Sequence, residues 1–317
     1  MSAPVLTITL NPAIDQTVIL PQLCAGSVNL AESSQCAAGG KGINVAACLA
    51  DLGIPVAAGG FLGKRNEDLF RELFNLKGID DHFVRLDGNT RTNLKLVNRT
   101  REETTDINLP GFPVPREAIR RLYDSIGSLA QSGHLVALCG SLPADLDAGV
   151  WAQLVAAFKA RRCTVLLDTS GEALKRALAM PPHDLPDIIK PNLSELEEWA
   201  GTALPNTASL LAVARELCQT GVDLVAVSLG EEGALLVRGD EVLHARLAAS
   251  RVASTVGAGD AMVAGLLAAR RAGLDLAASA RRAVAAAVGK LARLGPHLPD
   301  AATLAALEQR VQIRALR

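Results

Sequence analysis

The sequence predicts an α/β protein built on a doubly wound, mostly parallel sheet flanked by helices. Short apolar runs alternate with segments of helical periodicity over most of the 317 residues. Several of the runs are almost continuously apolar, which is typical of strands buried on both faces of a parallel sheet. In such folds, ligands bind outside the carboxyl ends of the strands. The predicted strands lie at 5–10, 56–63, 135–140, 164–170, 187–192 and 224–230.

Helical segments separate the predicted strands. They are INVAACLADLG, EDLFRELFNLKG, DAGVWAQLVAAFKARR, NLSELEEWAG and TASLLAVARELCQTG. Each segment repeats apolar residues at helical spacing and stands between two strand-like runs. The chain is therefore expected to fold as successive βαβ units.

Two stretches, 16–36 and 90–109, interrupt this alternation. They carry alternating patterns such as TVILPQL and RTNLKLVNR, with no helical period between them. We expect them to form a small β-sheet lid, inserted at two places into an α/β nucleotide- and sugar-binding domain of residues 1–15, 37–89 and 110–317. The open edge of such a sheet can pair with a second subunit, so a homodimer through the lid is predicted.

The charge balance argues against nucleic acid and anionic membranes as partners. The chain has 32 lysines and arginines against 33 aspartates and glutamates, a formal net charge of −1, and it has no basic block. A bound anion must therefore be held by local geometry rather than by an overall positive field. Hydrophobic residues make up 49% of the chain, which is enough to bury a substantial core.

No targeting or membrane-spanning segment is predicted. The N-terminal residues show no basic region followed by a long apolar run, and no apolar stretch reaches the length of about 18 residues that a spanning helix needs. We expect a soluble, cytoplasmic protein. The cysteines form no C-x-x-C pair and have no histidine at metal-ligand spacing, which indicates reduced, mostly buried thiols. They are Cys24, Cys36, Cys48, Cys139, Cys163 and Cys218.

A glycine-rich turn precedes an apolar helix in SRVASTVGAGDAMVAGLL, residues 250–267. Gly257 and Gly259 permit backbone conformations that are closed to other residues, so that neighbouring amides can point toward one position. Asp260 would lie in the first turn of the helix, where a carboxylate and a bound anion are both favoured. Taken alone, the pattern fits an ordinary glycine turn with an N-terminal aspartate equally well.

A second glycine motif, AGGKGINVAACLADLG over 38–53, precedes a helix that we expect to begin near Ile43. Its glycines allow the backbone to approach a ligand closely, Lys41 adds a cation, and Asn44 can both donate and accept hydrogen bonds. The spacing is neither that of the GxxxxGK phosphate loop nor that of the G-x-G-x-x-G dinucleotide fingerprint. An ordinary loop-to-helix turn stays an alternative. The glycines are Gly39, Gly40 and Gly42.

Together, the two glycine motifs resemble the signatures of the ribokinase-like (PfkB) carbohydrate kinase family. Within that family the chain is most similar to the phosphosugar branch, and to 1-phosphofructokinases more than to tagatose-6-phosphate kinases. The similarity to this branch rests on TLNPAID, GSLP and the Ser-Thr-Val that precedes GAGD. The resemblance follows the chain in order through TLNPAID (9–15), GGFLGKRNED (59–68), NTRTNLKL (89–96), GSLP (140–143), KPNLSELEEWAG (190–201) and SLGEEGAL (228–235).

The resemblance implies a chemical role for the GAGD turn. Asp260 would be the general base that takes a proton from a sugar hydroxyl. The amides of Gly257, Ala258, Gly259 and Asp260 would form an anion hole around the transferred γ-phosphoryl group. A general base together with an anion hole suits phosphoryl transfer, because this reaction depends on in-line positioning and on charge stabilisation more than on covalent catalysis.

The resemblance also implies ATP and Mg²⁺. Lys190 would balance phosphate charge, and Asn192 and Glu195 would hold Mg²⁺ through its hydrating waters. A solvated helix face is the alternative for Glu195. A monovalent-cation site is not carried over, because Ser254 fills the region where many members of the family have an aspartate. The implied nucleotide-binding residues are Lys190, Asn192, Ser228, Gly230, Glu231, Gly233, Thr255, Gly257 and Gly259.

On the sugar side, the resemblance implies that Asp15 and Asn44 grip sugar hydroxyls. Arg91 would bind a substrate phosphate, since a phosphate offers a guanidinium two acceptors at once, and Lys41 and Ser141 are weaker candidates for the same phosphate. The alternatives are a turn residue for Asp15 and surface solvation for Arg91. Gly39 and Gly40 complete the implied sugar-binding set.

The expected activity is ATP-dependent phosphorylation of fructose 1-phosphate at O6. Kinase activity at O1 of tagatose 6-phosphate or fructose 6-phosphate is the nearest alternative, because a furanose ketose has a CH₂O group at each end of its ring. A ligand-binding sensor without turnover is a second alternative, which the intact GAGD turn and Lys190 disfavour. A dehydrogenase is a third, and the absence of the dinucleotide fingerprint disfavours it.

Overall fold

A ten-stranded sheet forms the centre of the fold. The computed structural model describes residues 3–101, 103–127, 129–293 and 295–316. Across the sheet the strands are β14 (Gln312–Ala315), β13 (Glu241–Arg246), β12 (Ala234–Arg238), β11 (Leu224–Ser228), β10 (Ile188–Ile189), β9 (Thr164–Asp168), β8 (Leu135–Cys139), β1 (Val5–Thr9), β4 (Val56–Gly63) and β5 (Asp80–Leu86). From β11 to β5 all neighbours are parallel, and β12, β13 and β14 extend one edge in antiparallel pairs. The predicted α/β fold with a mostly parallel sheet is confirmed.

The six predicted strands all occur, and β4 occupies the predicted range in full. The others end before the predicted position because polar residues and turns begin there. Strand β10 has only two residues, since Pro191 has no N–H with which to continue the ladder. The carboxyl ends of β9 and β10 therefore present Asp168 and Lys190 at one edge of the sheet.

Helices cover both faces of the large sheet, and each face has its own apolar core. One core contains side chains of α1 (Lys41–Asp51), α2 (Asp68–Lys77), α8 (Ala258–Arg271), α9 (Leu276–Leu291) and α10 (Ala301–Arg310). The other contains side chains of α3 (Arg116–Gly127), α4 (Val150–Ala160), α5 (Gly171–Leu178), α6 (Leu193–Ala200) and α7 (Thr207–Thr220). Successive residues of one strand enter opposite cores, as Leu135 and Val136 of β8 do, because side chains alternate across a sheet.

A separate four-stranded sheet stands beside the large one. Its order is β3 (Ser33–Gly39), β2 (Ala13–Leu20), β6 (Arg91–Asn98) and β7 (Glu103–Ile107). Strand β2 is antiparallel to β3 and parallel to β6, and β6 is antiparallel to β7. These strands come from the two stretches that lack helical periodicity, and β2 and β3 continue beyond 16–36 to Ala13 and Gly39.

Helix length and the state of the cysteines are two further features of the fold. Within the described residues, no helix is both long and apolar enough to cross a membrane. All six cysteines are free thiols. Cys48, Cys139 and Cys163 are buried and Cys218 is half-buried, whereas Cys24 and Cys36 are exposed.

Candidate active site

The two glycine motifs meet at the carboxyl edge of the large sheet. Helix α1 follows the first motif and helix α8 the second, and their N-terminal turns touch through side chains. Asn44 Nδ2 donates a hydrogen bond of 2.8 Å to Asp260 Oδ2, although the two residues are 216 positions apart in sequence. The fold therefore converts two distant sequence motifs into one site.

Helix α8 begins at Ala258 and carries Asp260 in its first turn, as predicted. The residue before the helix, Gly257, has a φ of 81°, a left-handed conformation that favours glycine. No side chain caps this helix end. The amides of a first helical turn have no partner within the helix, so the N–H groups of Gly259 and Asp260 can donate to an anion. The Ala258 amide makes a long hydrogen bond of 3.4 Å to the Thr255 carbonyl.

The Asp260 carboxyl group is buried, with only 6% of the residue exposed. Burial raises its pKa to about 6, and the nearby carboxylate of Asp168 adds to the rise. The hydrogen bond from Asn44 and the ammonium groups of Lys41 and Lys190 act in the opposite direction. Asp260 is thus a carboxylate whose pKa lies close to neutrality, the range that suits a general base at cellular pH.

Asp168 is a site residue that the sequence motifs did not predict. It ends β9, is 1% exposed, and lies between two ammonium groups, with Oδ1 3.2 Å from Lys41 Nζ and 3.5 Å from Lys190 Nζ. Among the described residues its Oδ2 has no hydrogen-bond partner. A carboxylate at the end of the apolar run TVLLD, at the sheet edge where α/β folds bind ligands, was the available signal.

Lys41 and Lys190 both lie at the site, as the sequence predicted. The half-buried ammonium of Lys41 is also 3.9 Å from Glu195 Oε1. Burial acts to lower the pKa of Lys41, but Asp168, Glu195 and Asp260 together hold it above its ordinary value. Lys190 is 4% exposed, and its Nζ lies 3.6 Å from the position that a β-carbon on Gly259 would take. Two cations therefore stand beside the N-terminus of α8.

The first glycine motif holds Asp15 close to the backbone. Helix α1 begins at Lys41, two residues before the predicted start near Ile43, because Gly40 with its φ of 121° makes the turn. A β-carbon on Gly39 would lie 2.6 Å from Asp15 Oδ2, so only glycine leaves room for this carboxylate. Asp15 accepts a hydrogen bond of 3.4 Å from Asn93 and lies 3.6 Å from the ammonium of Lys95.

Arg91 and Ser141 are joined to each other through Asn11. The Arg91 guanidinium donates to three backbone carbonyls, those of Asn11 (3.2 Å), Pro12 (3.3 Å) and Leu109 (3.0 Å). Asn11 Nδ2 in turn donates to Ser141 Oγ at 3.1 Å. Asn11 was not among the site residues predicted from the sequence. Two donors of Arg91 thus fasten β6 to the turn after β1, and a third fastens it to the segment after β7. The other two N–H groups of the guanidinium take no part in these bonds.

The implied metal-binding pair caps a helix. Asn192 Oδ1 accepts from the Glu195 amide, and Glu195 Oε2 accepts from the Asn192 amide, which is a capping box at the start of α6. The Glu195 side chain is only 16% exposed, which is less than a solvated helix face would leave it. Its other oxygen, Oε1, faces Lys41.

The predicted nucleotide turn follows β11. Residues Gly230–Glu232 form a short 3-10 turn, Gly233 has a φ of 87°, and Asn192 forms a parallel bridge with Ser228. A cavity of about 640 Å³ adjoins this turn and is lined by Asn192, Ser228 and Gly230 among others. Glu231 is exposed on the same turn. Thr255 lies apart from the cavity, in the loop before α8, where its carbonyl accepts from the Ala258 amide.

A second cavity, of about 460 Å³, separates the small sheet from the N-terminus of α8. Asp15 and Lys95 line it from the sheet, and Asn44, Gly257 and Lys290 line it from the main domain. Asp260 is not among the lining residues, but it accepts a hydrogen bond from one of them, Asn44. The cavity therefore brings the ammonium groups of Lys95 and Lys290 and the uncapped start of α8 within one residue of a buried carboxyl that could accept a proton.

Comparison with known proteins identifies the family of the chain. The model of the pfkB family of carbohydrate kinases matches residues 4–301. The chain is 46% identical to a 1-phosphofructokinase of Rhodobacter capsulatus, over all of this chain and 99% of that protein. It is 51% identical to a 1-phosphofructokinase of Xanthomonas campestris pv. campestris, over 85% of each chain.

Solved structures show the same fold. The crystal structure of phosphofructokinase-2 from Escherichia coli in complex with fructose-6-phosphate superimposes with a TM-score of 0.87 at 26% identity, covering 97% of this chain and 99% of that one. The sequence motifs, the site geometry and the family match agree over nearly the whole chain. The chain belongs to the pfkB family of carbohydrate kinases.

Proposed function

We propose that the protein transfers the γ-phosphoryl group of ATP to O6 of fructose 1-phosphate and yields fructose 1,6-bisphosphate. One observation carries the proposal: a buried carboxyl with a pKa near 6, Asp260, lies in the first turn of an uncapped helix beside two lysines. Membership of a carbohydrate kinase family supports the reaction class. The relatives named 1-phosphofructokinase support the substrate.

In the proposed reaction, Asp260 accepts the proton of the O6 hydroxyl as O6 attacks the γ-phosphorus. The O6–P bond forms while the bond from the γ-phosphorus to the β,γ-bridging oxygen breaks, and ADP leaves with that electron pair. The amides of Gly257, Ala258, Gly259 and Asp260 stabilise the charge on the transferred group. Lys190 compensates charge on the phosphates.

The sugar end of the site is assigned to the first glycine motif and the small sheet. Asp15 and Asn44 bind sugar hydroxyls. A β-carbon at Gly39 would displace the Asp15 carboxylate from this position, and one at Gly40 would strike Thr9 and Pro12. The 1-phosphate lies against Arg91, Ser141 and Lys41, which together offer a guanidinium, a hydroxyl and an ammonium. Arg91 can serve this role while it fastens the backbone, because a guanidinium has five N–H donors and three are engaged here.

The nucleotide is assigned to the second half of the chain, over Lys190, Asn192 and the turn that contains Ser228, Gly230, Glu231 and Gly233, with Thr255 on the loop before α8. The described residues contain no group of three side chains that would hold a metal ion directly. They do fit a hydrated Mg²⁺, which keeps several waters and binds through one or two carboxylates and substrate phosphates. Glu195 Oε1, which lies 3.9 Å from Lys41 Nζ, and Asp168 Oδ2, which has no hydrogen-bond partner among the described residues, would accept from such waters. When bound, Mg²⁺ supplies charge neutralisation between the β- and γ-phosphates.

A coupled assay of ADP release tests the proposal with Mg-ATP and four sugars: fructose 1-phosphate, fructose 6-phosphate, tagatose 6-phosphate and unphosphorylated fructose. We expect the highest kcat/KM on fructose 1-phosphate. Turnover of free fructose alone would overturn the assignment of Arg91 while leaving Asp260 as the base. Turnover of none of the four would refute the proposed function.

Phosphorylation of fructose 6-phosphate at O1 is the second candidate. It is supported by the fold shared with phosphofructokinase-2, whose crystal structure contains fructose-6-phosphate. A furanose ketose presents a CH₂O group at each end of the ring, so one pocket can accept either orientation, and a preference of about 1.4 kcal/mol already gives a tenfold difference. A higher kcat/KM on fructose 6-phosphate in the same assay would establish this candidate.

The pKa of Asp260 predicts the acid limb of the pH profile. A base acts only when it is deprotonated, so kcat/KM should rise with pH through about 6 and level off above it. Measurements of kcat/KM between about pH 5 and 8, at constant ionic strength, test the predicted rise. An Asp168→Asn variant removes a neighbouring negative charge that raises the pKa of Asp260. The pH at which kcat/KM rises should therefore be lower in this variant. An unchanged pH dependence would contradict the assignment of Asp260 as the base.

We further propose that the protein is a homodimer through the small sheet. The strands alternate their side chains, so that Thr17 and Lys95 line the cavity while Val18, Leu94 and Leu96 face away from it. These three apolar side chains are half-buried, and Ile107 beside Leu94 is 42% exposed. An apolar outer face on an open-edged sheet is suited to a second copy of the same sheet.

Light scattering tests the dimer, with an expected mass of twice the 33.1 kDa of the chain. Leu96→Glu places a charge in the centre of the outer face and should yield monomers at micromolar concentration. Thr104→Glu adds the same charge on the neighbouring strand but on the cavity side, and it should leave the dimer intact. A monomeric wild-type protein would refute this interface.

A further inference from the structure

Lys290 is a buried cation in the site that the mechanism above does not use. It belongs to the last turn of α9 and is only 2% exposed. Its Nζ donates a hydrogen bond of 3.0 Å to the carbonyl of Arg293, and this is its single hydrogen-bond partner among the described residues. An ammonium has three N–H groups, so most of its donor capacity is not satisfied by the fold.

The side chain of Lys290 packs against the start of helix α8. A β-carbon on Gly257 would lie 3.3 Å from Lys290 Cε and 3.9 Å from Nζ, so the ammonium lies next to the residue where the proposed anion hole begins. Lys290 also lines the cavity between the small sheet and α8, together with Gly257 and Asn44. The contact with Gly257 and the shared cavity therefore place this charge beside the start of α8, where the proposed anion hole begins.

The loop before α8 is attached to the same end of α9. The amides of Ala253 and Ser254 both donate to the carbonyl of Leu291, at 2.7 and 3.2 Å. Lys290 thus connects the turn that follows α9 to the loop that ends in Gly257. Movement of this turn would move the first amides of α8.

Capping of its own helix explains only part of this placement. A lysine in the last turn of a helix interacts favourably with the carbonyl end. Lys290 also lies beside the N-terminus of a second helix, where the partial charge is positive and a cation is disfavoured. Burial lowers the pKa of Lys290 and the ammonium of Lys95 adds to this, whereas Cys48 and Asp260 oppose it. A bound anion would relieve this accumulation of positive charge.

We propose that Lys290 is a positioning residue of the anion hole: its buried ammonium fixes the Gly257 turn and raises the affinity of the α8 N-terminus for the transferred phosphoryl group. The inference rests on the proposed phosphoryl transfer at Asp260. It does not depend on which ketose phosphate is the acceptor, because Lys290 acts at the end of α8 and not through Arg91.

Calorimetric binding of two nucleotides tests the proposal without turnover. Lys290→Met keeps an unbranched side chain of similar length and removes the charge. We expect it to weaken binding of Mg-AMP-PNP, which carries a γ-phosphoryl group, by about tenfold, and to leave the Kd of Mg-ADP within about twofold. Lys290→Arg restores the charge and should recover most of the affinity for Mg-AMP-PNP.

Arg293→Ala is the matched control, because it removes an exposed charge nearby and leaves the carbonyl that Lys290 binds. It should alter the affinities for Mg-AMP-PNP and Mg-ADP to the same extent. The proposal would be overturned if Lys290→Met weakened binding of Mg-AMP-PNP and Mg-ADP equally, or weakened binding of neither. If the wild-type protein turns over none of the sugars, the proposed function fails, whereas the difference between the two nucleotides still decides the role of Lys290.

In the kinetic assay with the preferred sugar, Lys290→Met should lower kcat by about tenfold and change the KM of the sugar little, because the charge acts on the phosphoryl group. Lys95→Met removes the other ammonium that lines the cavity. Since Lys95 pairs with Asp15, its loss should instead raise the KM of the sugar. A rise in the sugar KM without a change in kcat for Lys290→Met would also contradict the proposal.

Discussion

Asp260→Asn should lower kcat by about 10²–10⁴-fold, because the variant retains the shape of the site and loses the proton acceptor. The hydrogen bond from Asn44 Nδ2 can persist, since an amide oxygen accepts as a carboxylate oxygen does. Binding of ATP and of the sugar phosphate should be retained. Steady-state kinetics with calorimetric binding of both ligands checks this, and an unchanged kcat would eliminate Asp260 as the base.

The same variant should be more stable at neutral pH. The folded state holds the Asp260 proton more tightly than the unfolded chain, since the pKa rises from 3.8 to about 6. Its contribution to stability is therefore fully present below pH 4 and is lost as the pH rises through about 6. At pH 7 the buried carboxylate costs about 2–3 kcal/mol, and Asp260→Asn removes this cost. Urea unfolding at pH 7 should show a higher midpoint for the variant, which separates loss of activity from loss of structure.

Asp168→Asn should lower the free energy of unfolding by about 3–5 kcal/mol, because it leaves a buried lysine without its counter-ion. Asp168 and Lys190 are 1% and 4% exposed, and their charged atoms are 3.5 Å apart. Lys41 loses its 3.2 Å contact as well. Urea unfolding of the variant at pH 7 measures the effect.

Two further variants decide whether burial of the charge is the cause. The double variant Asp168→Asn with Lys190→Met removes both charges, and it should recover much of the lost stability. Asp87→Asn breaks an exposed pair with Lys64, 2.8 Å apart, and should leave the urea midpoint almost unchanged, because solvent screens exposed ion pairs. Equal destabilisation by Asp168→Asn and Asp87→Asn would contradict the interpretation of Asp168 as a buried counter-ion.

Much of the fold could be predicted from the sequence, because burial on both faces leaves continuous apolar runs. Strand β4 occupies the predicted residues 56–63. The start of α1 was predicted two residues late, since the apolar pattern begins at Ile43 whereas the turn at Gly40 decides where the helix starts. Polar strand ends such as Asp168 carry no periodic signal, so strand lengths were less accurate than strand positions.

The capping box at α6 could have been recognised from the sequence alone. Asn192 followed by Glu195 has the spacing in which each side chain accepts from the other's amide. The resemblance to the kinase family instead predicted that Asn192 and Glu195 hold Mg²⁺ through its waters. Both roles are compatible, because only one oxygen of Glu195 is used by the cap.

By itself, the sequence determined the α/β class, the two glycine turns and the identity of Asp260 as a helix-start carboxylate, since these depend on local periodicity and backbone freedom. Only the tertiary structure decided the electrostatics of the site. Asp168 lies 127 positions from Lys41, and the two meet only when α1 and β9 reach the same sheet edge. The pKa of Asp260 likewise follows from burial and from charges supplied by other elements, which no local pattern encodes.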